Sequence, residues 1–157
     1  MNYFISPSFL ILCFCSIVFA QAQSTKEQIV DVNFCDLLKN PNDYTDKTIR
    51  VKATYQSFFE MSKMYCSDCL QQRGTWVEFD DDFTDNTKKV YRKKINNNSV
   101  VNGTFAGKFY TGKTFGHQNG YDSQFVVQYM ESADVISKKP IDLSEASKAK
   151  TYCQTKN

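Results

Sequence analysis

Apolar and polar positions alternate most clearly over residues 48–56, where Ile49, Val51, Ala53 and Tyr55 interleave with Arg50, Lys52, Thr54 and Gln56. A period of two is the side-chain repeat of a strand with one buried and one wet face. β-Branched and aromatic residues inside, with cations outside, fit an antiparallel sheet. Residues 58–65 are apolar at both ends and polar between, which predicts a turn into a returning strand that delivers Cys66 and Cys69 to its far end. Residues 75–79 predict a third strand, with Val77 and Phe79 on one side and Trp76 and Glu78 on the other. A fourth, over 99–111, carries Val101, Phe105 and Phe109 on one face together with Gly103 and Gly107, which suit a strongly bent strand. The Gly-rich residues 112–120 predict a long hairpin connection into a fifth strand over 123–129, extending toward 136.

The flanks read differently. Phe34, Leu37 and Leu38 share one helical face, Asp31 or Asn33 can cap its start, and Pro41 stops the pattern. Residues 42–47 are turn chemistry, with Tyr44 packing back. Between the third and fourth strands, Asp80, Asp81, Asp82 and Asp85 are followed by Lys88, Lys89, Arg92, Lys93 and Lys94, the pattern of a solvated, self-compensating loop or short helix. A calcium loop is not supported, since the ligand spacing and the turn glycine are missing. After Pro140 a polar tail has Asp142 and Glu145 in capping-box spacing, which allows a short helix. The whole predicts a mainly β fold: a five-stranded, OB-like small barrel with a short N-terminal helix and a C-terminal tail.

Charge places the chain in a compartment. Residues 1–22 carry no charged side chain, and 9–20 form an almost unbroken apolar run, too short to span a bilayer comfortably. With Ala20-Gln21-Ala22 beyond it, the segment reads as a signal peptide, although its start lacks Lys or Arg. Cys13 and Cys15 follow Leu12 and Phe14, where a lipid-attachment box wants a small residue. The expected organisation is a signal peptide at 1–22, a flexible lead at 23–31, the barrel at 32–138 and a polar tail at 139–157. About 135 residues then remain, enough for one modest core. The net charge of +2 argues against a dedicated nucleic-acid binder. Four cysteines, Cys35, Cys66, Cys69 and Cys153, lie in the exported part and imply two disulfides, with three pairings open.

A set of motifs carries a resemblance. Cys35-Asp36-Leu37-Leu38, Asn40-Pro41, Tyr44, Lys47 and Ile49-Arg50-Val51-Lys52-Ala53 are followed by Phe59-Glu60, Met64-Tyr65 and Cys69. Later come Gly116-His117, Gly120-Tyr121 and Gln124-Phe125-Val126-Val127. In these the chain resembles an uncharacterised family of small secreted bacterial OB-fold-like domains of the tRNA-anti-like superfamily, over most of residues 32–136. The resemblance implies one cysteine at the place of Cys35 and one at that of Cys69. It therefore implies a Cys35–Cys69 bridge, with Cys66–Cys153 holding the tail.

No catalytic constellation is legible, so a secreted or periplasmic binding or scaffold module is the preferred expectation, without a cofactor and as a monomer. On such a barrel Trp76, Tyr55 and Tyr110 would stack on a ligand, Arg50 and Lys52 would add charge, and Glu60 and His117 would supply polar contacts. The plainer alternative puts Tyr55 in the core and Trp76 half-buried. A glycan, a peptide or an envelope protein is the expected partner, and nucleic acid is not expected. Three other chemistries compete. Cys66-Ser67-Asp68-Cys69 could be a redox dithiol, though it lacks a βαβ context. Cys35, Cys66, Cys69 and His117 could complete a zinc tetrahedron. Glu60, Asp80, Asp81 and Arg50 supply the residue types of a metal-dependent nuclease without its spacing. Glu60 and His117 form an acid–base pair only if folding brings them within hydrogen-bond reach. Asn97 and Asn102 stand in glycosylation sequons.

Overall fold

The structure, a computed structural model, describes residues 28–95, 98–142 and Cys153. The expected signal peptide, most of the flexible lead and tail, and Asn97 lie outside the described residues. The elements are β1 (Val30–Asp31), α1 (Phe34–Lys39), β2 (Thr48–Phe58), β3 (Met61–Tyr65), β4 (Thr75–Phe79), α2 (Phe83–Asn86), α3 (Lys89–Arg92), β5 (Ser99–Phe115) and β6 (Tyr121–Ser137).

Five strands close into a ring. β2 pairs antiparallel with β3 from Phe58↔Met61 to Thr54↔Tyr65, and β3 with β4 at Lys63↔Trp76. β4 then runs parallel to β6, from Trp76↔Gln124 to Phe79↔Val127. β6 pairs antiparallel with β5, and β5 returns to β2 over ten pairs from Thr48↔Lys108 to Ser57↔Ser99. The ring β2-β3-β4-β6-β5 is the small OB-like barrel that the alternation predicts. β1 adds a sixth strand, parallel to β2, so Val30 and Asp31 are ordered by the sheet rather than part of a flexible lead.

The core follows from the inward positions. Ile49, Val51, Ala53 and Tyr55 of β2 meet Phe105, Phe109, Val77 and Phe125, all buried. β5 bends through register shifts at Thr104/Phe105 and Ala106/Gly107. A Cβ on Gly107 would lie 1.9 Å from the Val126 carbonyl oxygen, so the closest approach of β5 to β6 requires a residue without a side chain. α1 docks Phe34 and Leu37 on the barrel, both fully buried. Of the two predicted caps Asn33 is the one used: its Oδ1 accepts from the Cys35 amide at 2.9 Å.

The charged run between β4 and β5 takes the short-helix form of the expected loop or short helix, as two one-turn helices. Phe83 sinks into the core, Tyr91 and Ile95 pack against it, and the Arg92 guanidinium donates to the Thr84 and Thr87 carbonyls. Thr87 Oγ1 accepts from the Met130 amide at 3.0 Å. The Gly-rich connection also differs from expectation. β5 continues to Phe115 and β6 starts at Tyr121, so residues 112–115 are strand and the loop is only 116–120. Among the described residues no helix is long and apolar enough to cross a membrane.

Candidate ligand cleft and the cysteine cluster

β2 and β3 are joined by the two-residue turn Phe59-Glu60. Tight hairpin turns place a central residue at positive φ, which favours glycine. Phe59 holds φ +50 there, and its ring is driven outward to 86 % exposure, edge-on to Phe58 at 4.5 Å. A bulky residue in this conformation costs of order 1–2 kcal/mol. Glu60 stands beside it, also exposed.

The second wall arrives from a distance. Beyond the ladder of β5 with β2, which ends at Lys108, β5 and β6 run on together as an arm, Phe109↔Phe125 to Phe115↔Tyr121, bent by a register shift between Thr111 and Phe115. The tip of the arm comes back over β4. Gly116 makes this possible: at φ +72, ψ −170 it occupies a region essentially reserved for glycine, and a Cβ would sit 2.5 Å from the Trp76 ring. The arm thereby lies against Trp76, and Tyr121 settles at 5.5 Å from it, inclined by 50°. Burial raises the Tyr121 pKa. Trp76 Nε1 donates to Glu78 Oε1 at 3.2 Å, which fixes the indole from the side.

The two tips meet. His117 Nδ1 lies 3.1 Å from Glu60 Oε2, with 51 % and 75 % of the side chains exposed. Glu60, Trp76 and His117 share a cleft of about 330 Å³ with Phe58, Phe59 and Tyr121. A second hollow of about 510 Å³ adjoins it through Phe59, Glu60 and Trp76 and reaches toward Tyr55, Phe79 and Phe83. Such concave, mostly apolar sites with a few polar groups are the usual form of a ligand pocket.

Three of the six tentative ligand residues, Glu60, Trp76 and His117, are therefore brought together. The other three are not in the cleft. Arg50 makes an ion pair with Asp31 at 3.2 Å and with Glu131 at 2.9 Å, tying β1 and β6 to β2. Its pKa is raised by its hydrogen bond to Tyr129, against the opposing effect of desolvation. Lys52 is half-buried and faces Thr104 across the β2–β5 ladder. Tyr110 faces Gln124 on the arm. Tyr55 is in the core at 3 % exposure, with its hydroxyl 3.3 Å from Ser62 Oγ, and Trp76 is half-buried, as the plainer alternative has it. Asn102 is in β5, where its Oδ1 accepts from Thr54 Oγ1 at 2.7 Å.

Phe59 and Tyr121 complete the cleft and were not among the expected site residues. The signal for Phe59 is a break in alternation: Phe58 and Phe59 are adjacent, so one must face water, and Glu60 marks the turn. Both lie in the Phe59-Glu60 and Gly120-Tyr121 motifs of the resemblance.

The cysteines gather elsewhere, in the pairs Cys35–Cys69 and Cys66–Cys153, with Cα separations of 5.7 and 5.9 Å. These are the pairs the resemblance implies. Cys66 and Cys69 thus bond away from each other, not as a dithiol couple. Their sulfurs and that of Cys35 lie within 4.8 Å of one another, the one such set of potential metal ligands among the described residues. His117 is not part of it, being held by Glu60, and Glu60, Asp80 and Asp81 do not assemble as a carboxylate site. Comparison with protein-family models, with curated proteins and with solved structures gives no match.

Proposed function

We propose that the chain is an exported, non-enzymatic binding module that takes its ligand in the cleft between the β2–β3 turn and the β5–β6 tip. The observation that carries this reading is the convergence of Glu60, Trp76 and His117, from three separate elements, on one aromatic-walled cleft. Hairpin tips and the strands beneath them are where an OB-like barrel takes up ligands. The strained Phe59 supports the same reading, because unfavourable backbone conformations persist where a function holds them. The Glu60–His117 pair orients an imidazole, but no nucleophile among the described residues is bonded to it, so it serves as a polar anchor.

Trp76 is the sole tryptophan, so its emission reports on this cleft alone. Titration with a chito-oligosaccharide, an unstructured peptide and a small organic amine is expected to give a saturable change for at least one class, lost in Glu60→Ala. No saturable response to any of them at millimolar concentration would sink the proposal.

A further inference from the structure

We infer that the group this cleft receives is an alkylated ammonium cation carried by a small organic molecule; the inference rests on the binding-module reading and gives that ligand its chemistry. The walls are the first reason. Phe58, Phe59, Trp76 and Tyr121 contribute aromatic rings, while the polar side chains that face the space are Glu60 and His117. The negative face of an aromatic ring attracts a cation within about 6 Å of its centroid, and methylated ammonium groups are the ligands for which such rings suffice.

Each alternative leaves something unsatisfied. A sugar ring presents several hydroxyls, and walls with so few polar groups would strip most of them of partners, each at a cost of about 1–3 kcal/mol. An anion would face the Glu60 carboxylate and the negative ring faces together. A neutral apolar group would desolvate that carboxylate and leave it His117 alone as a partner. A soft cation fits both features at once: its methyl groups lie on the rings and its charge offsets Glu60.

The arrangement is also pre-set for that role. Trp76 Nε1 is occupied by Glu78, so the indole offers its ring rather than its N–H. Gly116 lies against the ring, and the indole lines the cleft. Glu78 adds a second negative charge beside the indole. His117 Nδ1 holds the Glu60 carboxylate in place over the cleft. The cation that faces Trp76 in the β3–β4 register is Lys63, and its ammonium is 5.6 Å from the Tyr65 ring centroid, already engaged in the contact proposed for the ligand.

The test compares choline with 3,3-dimethyl-1-butanol, its uncharged isostere, on the intact exported chain, read by Trp76 emission and by calorimetry. Choline is expected to bind saturably and the isostere at least about tenfold more weakly. Glu60→Gln, at an exposed position that leaves folding intact, is expected to weaken choline by about tenfold and leave the isostere unchanged. Equal affinity for the two probes, or a Glu60→Gln variant that binds choline as well as the parent, would overturn the inference. Silence toward choline with a saturable, Glu60-dependent response to an oligosaccharide or peptide would refute the cation and leave the binding module standing. Silence toward every probe refutes both.

Discussion

The cysteine-stapled flank and the two hairpin tips are built on opposite plans. At the first, α1 lays Phe34 and Leu37 on the barrel with no exposure, Asn33 caps it, and two disulfides join it and the tail to the end of β3. Cys66, Cys69 and Cys153 are all at least 96 % buried. At the second, Phe59, Gln118 and Asn119 are held at positive φ, and Phe59 is the most exposed large apolar residue described. Every local preference at the flank agrees with the fold. At the tips, local preferences are overruled, which is what a site shaped for a ligand looks like beside a scaffold shaped for stability.

The largest test of that contrast removes a staple. Replacing Cys35 and Cys69 together by alanine opens a loop of 34 residues, and the chain-entropy account puts the loss near 4 kcal/mol. Urea denaturation measures it. Ligand binding at the tips is expected to persist in the fraction that stays folded; its loss at full folding would show that the two regions are coupled. The next effect is at the tips themselves. Gly116→Ala forces a Cβ into the Trp76 ring from a Gly-only conformation, with an expected cost of about 2 kcal/mol. Its emission spectrum should shift as the arm lifts from the indole. A spectrum identical to the parent's would mean that the arm does not press on Trp76.

These regions differ in how far they can be read from the chain. The barrel is legible because Ile49, Val51, Ala53 and Tyr55 alternate without interruption, and because Phe105 and Phe109 repeat the pattern. The disulfide pairs came through the resemblance, since spacing alone leaves three pairings open. The cleft is legible in its polar members only. Arg50 and Lys52 look like ligand residues because an exposed cation in a strand has no visible partner, and the partners of Arg50, Asp31 and Glu131, are 19 and 81 residues away. The arm defeated the reading for a different reason. Residues 112–120 carry three glycines, which locally signify a loop, but cross-strand pairing as far as Phe115↔Tyr121 keeps residues 112–115 extended. Likewise nothing local distinguishes Phe83, which anchors the charged run, from an exposed loop aromatic.

A pH series sharpens the contrast from the scaffold side. Burial pushes the Tyr65 phenol up to about 12, above the 10 of an unfolded tyrosine, so the folded state holds its proton longer. Stability from this source is complete below pH 10 and is lost as the pH rises toward 12, by about 1.4 kcal/mol at pH 11. Desolvation lowers the pKa of neighbouring Lys63, with Asp142 opposing it, so that group has the reverse sign: its cost fades as the pH rises toward 10.5. Stability should therefore rise gently into the alkaline range and fall beyond pH 10. Tyr65→Phe should flatten the fall and Lys63→Met the rise, both measured by urea midpoints. A fall that survives Tyr65→Phe would assign it to another group.

The smallest effect discriminates best, because its sign is unusual. Truncating a large aromatic residue ordinarily destabilises, and at Phe34 or Phe105 the loss would be about 3–5 kcal/mol. Phe59→Gly should do otherwise. The ring buries little, its edge contact with Phe58 is largely solvated, and glycine relieves the φ of +50. Against this stands the extra chain entropy that glycine brings to the unfolded state, about 0.5–1 kcal/mol. The balance is a stability unchanged or raised by up to about 1 kcal/mol, together with weaker binding of the cleft's ligand. That pairing of outcomes, a steadier fold and a poorer site from one substitution, is the signature of strain kept for function. A loss of more than 1 kcal/mol would instead make Phe59 part of the scaffold, and the division between the two regions would have to be redrawn at the β2–β3 turn.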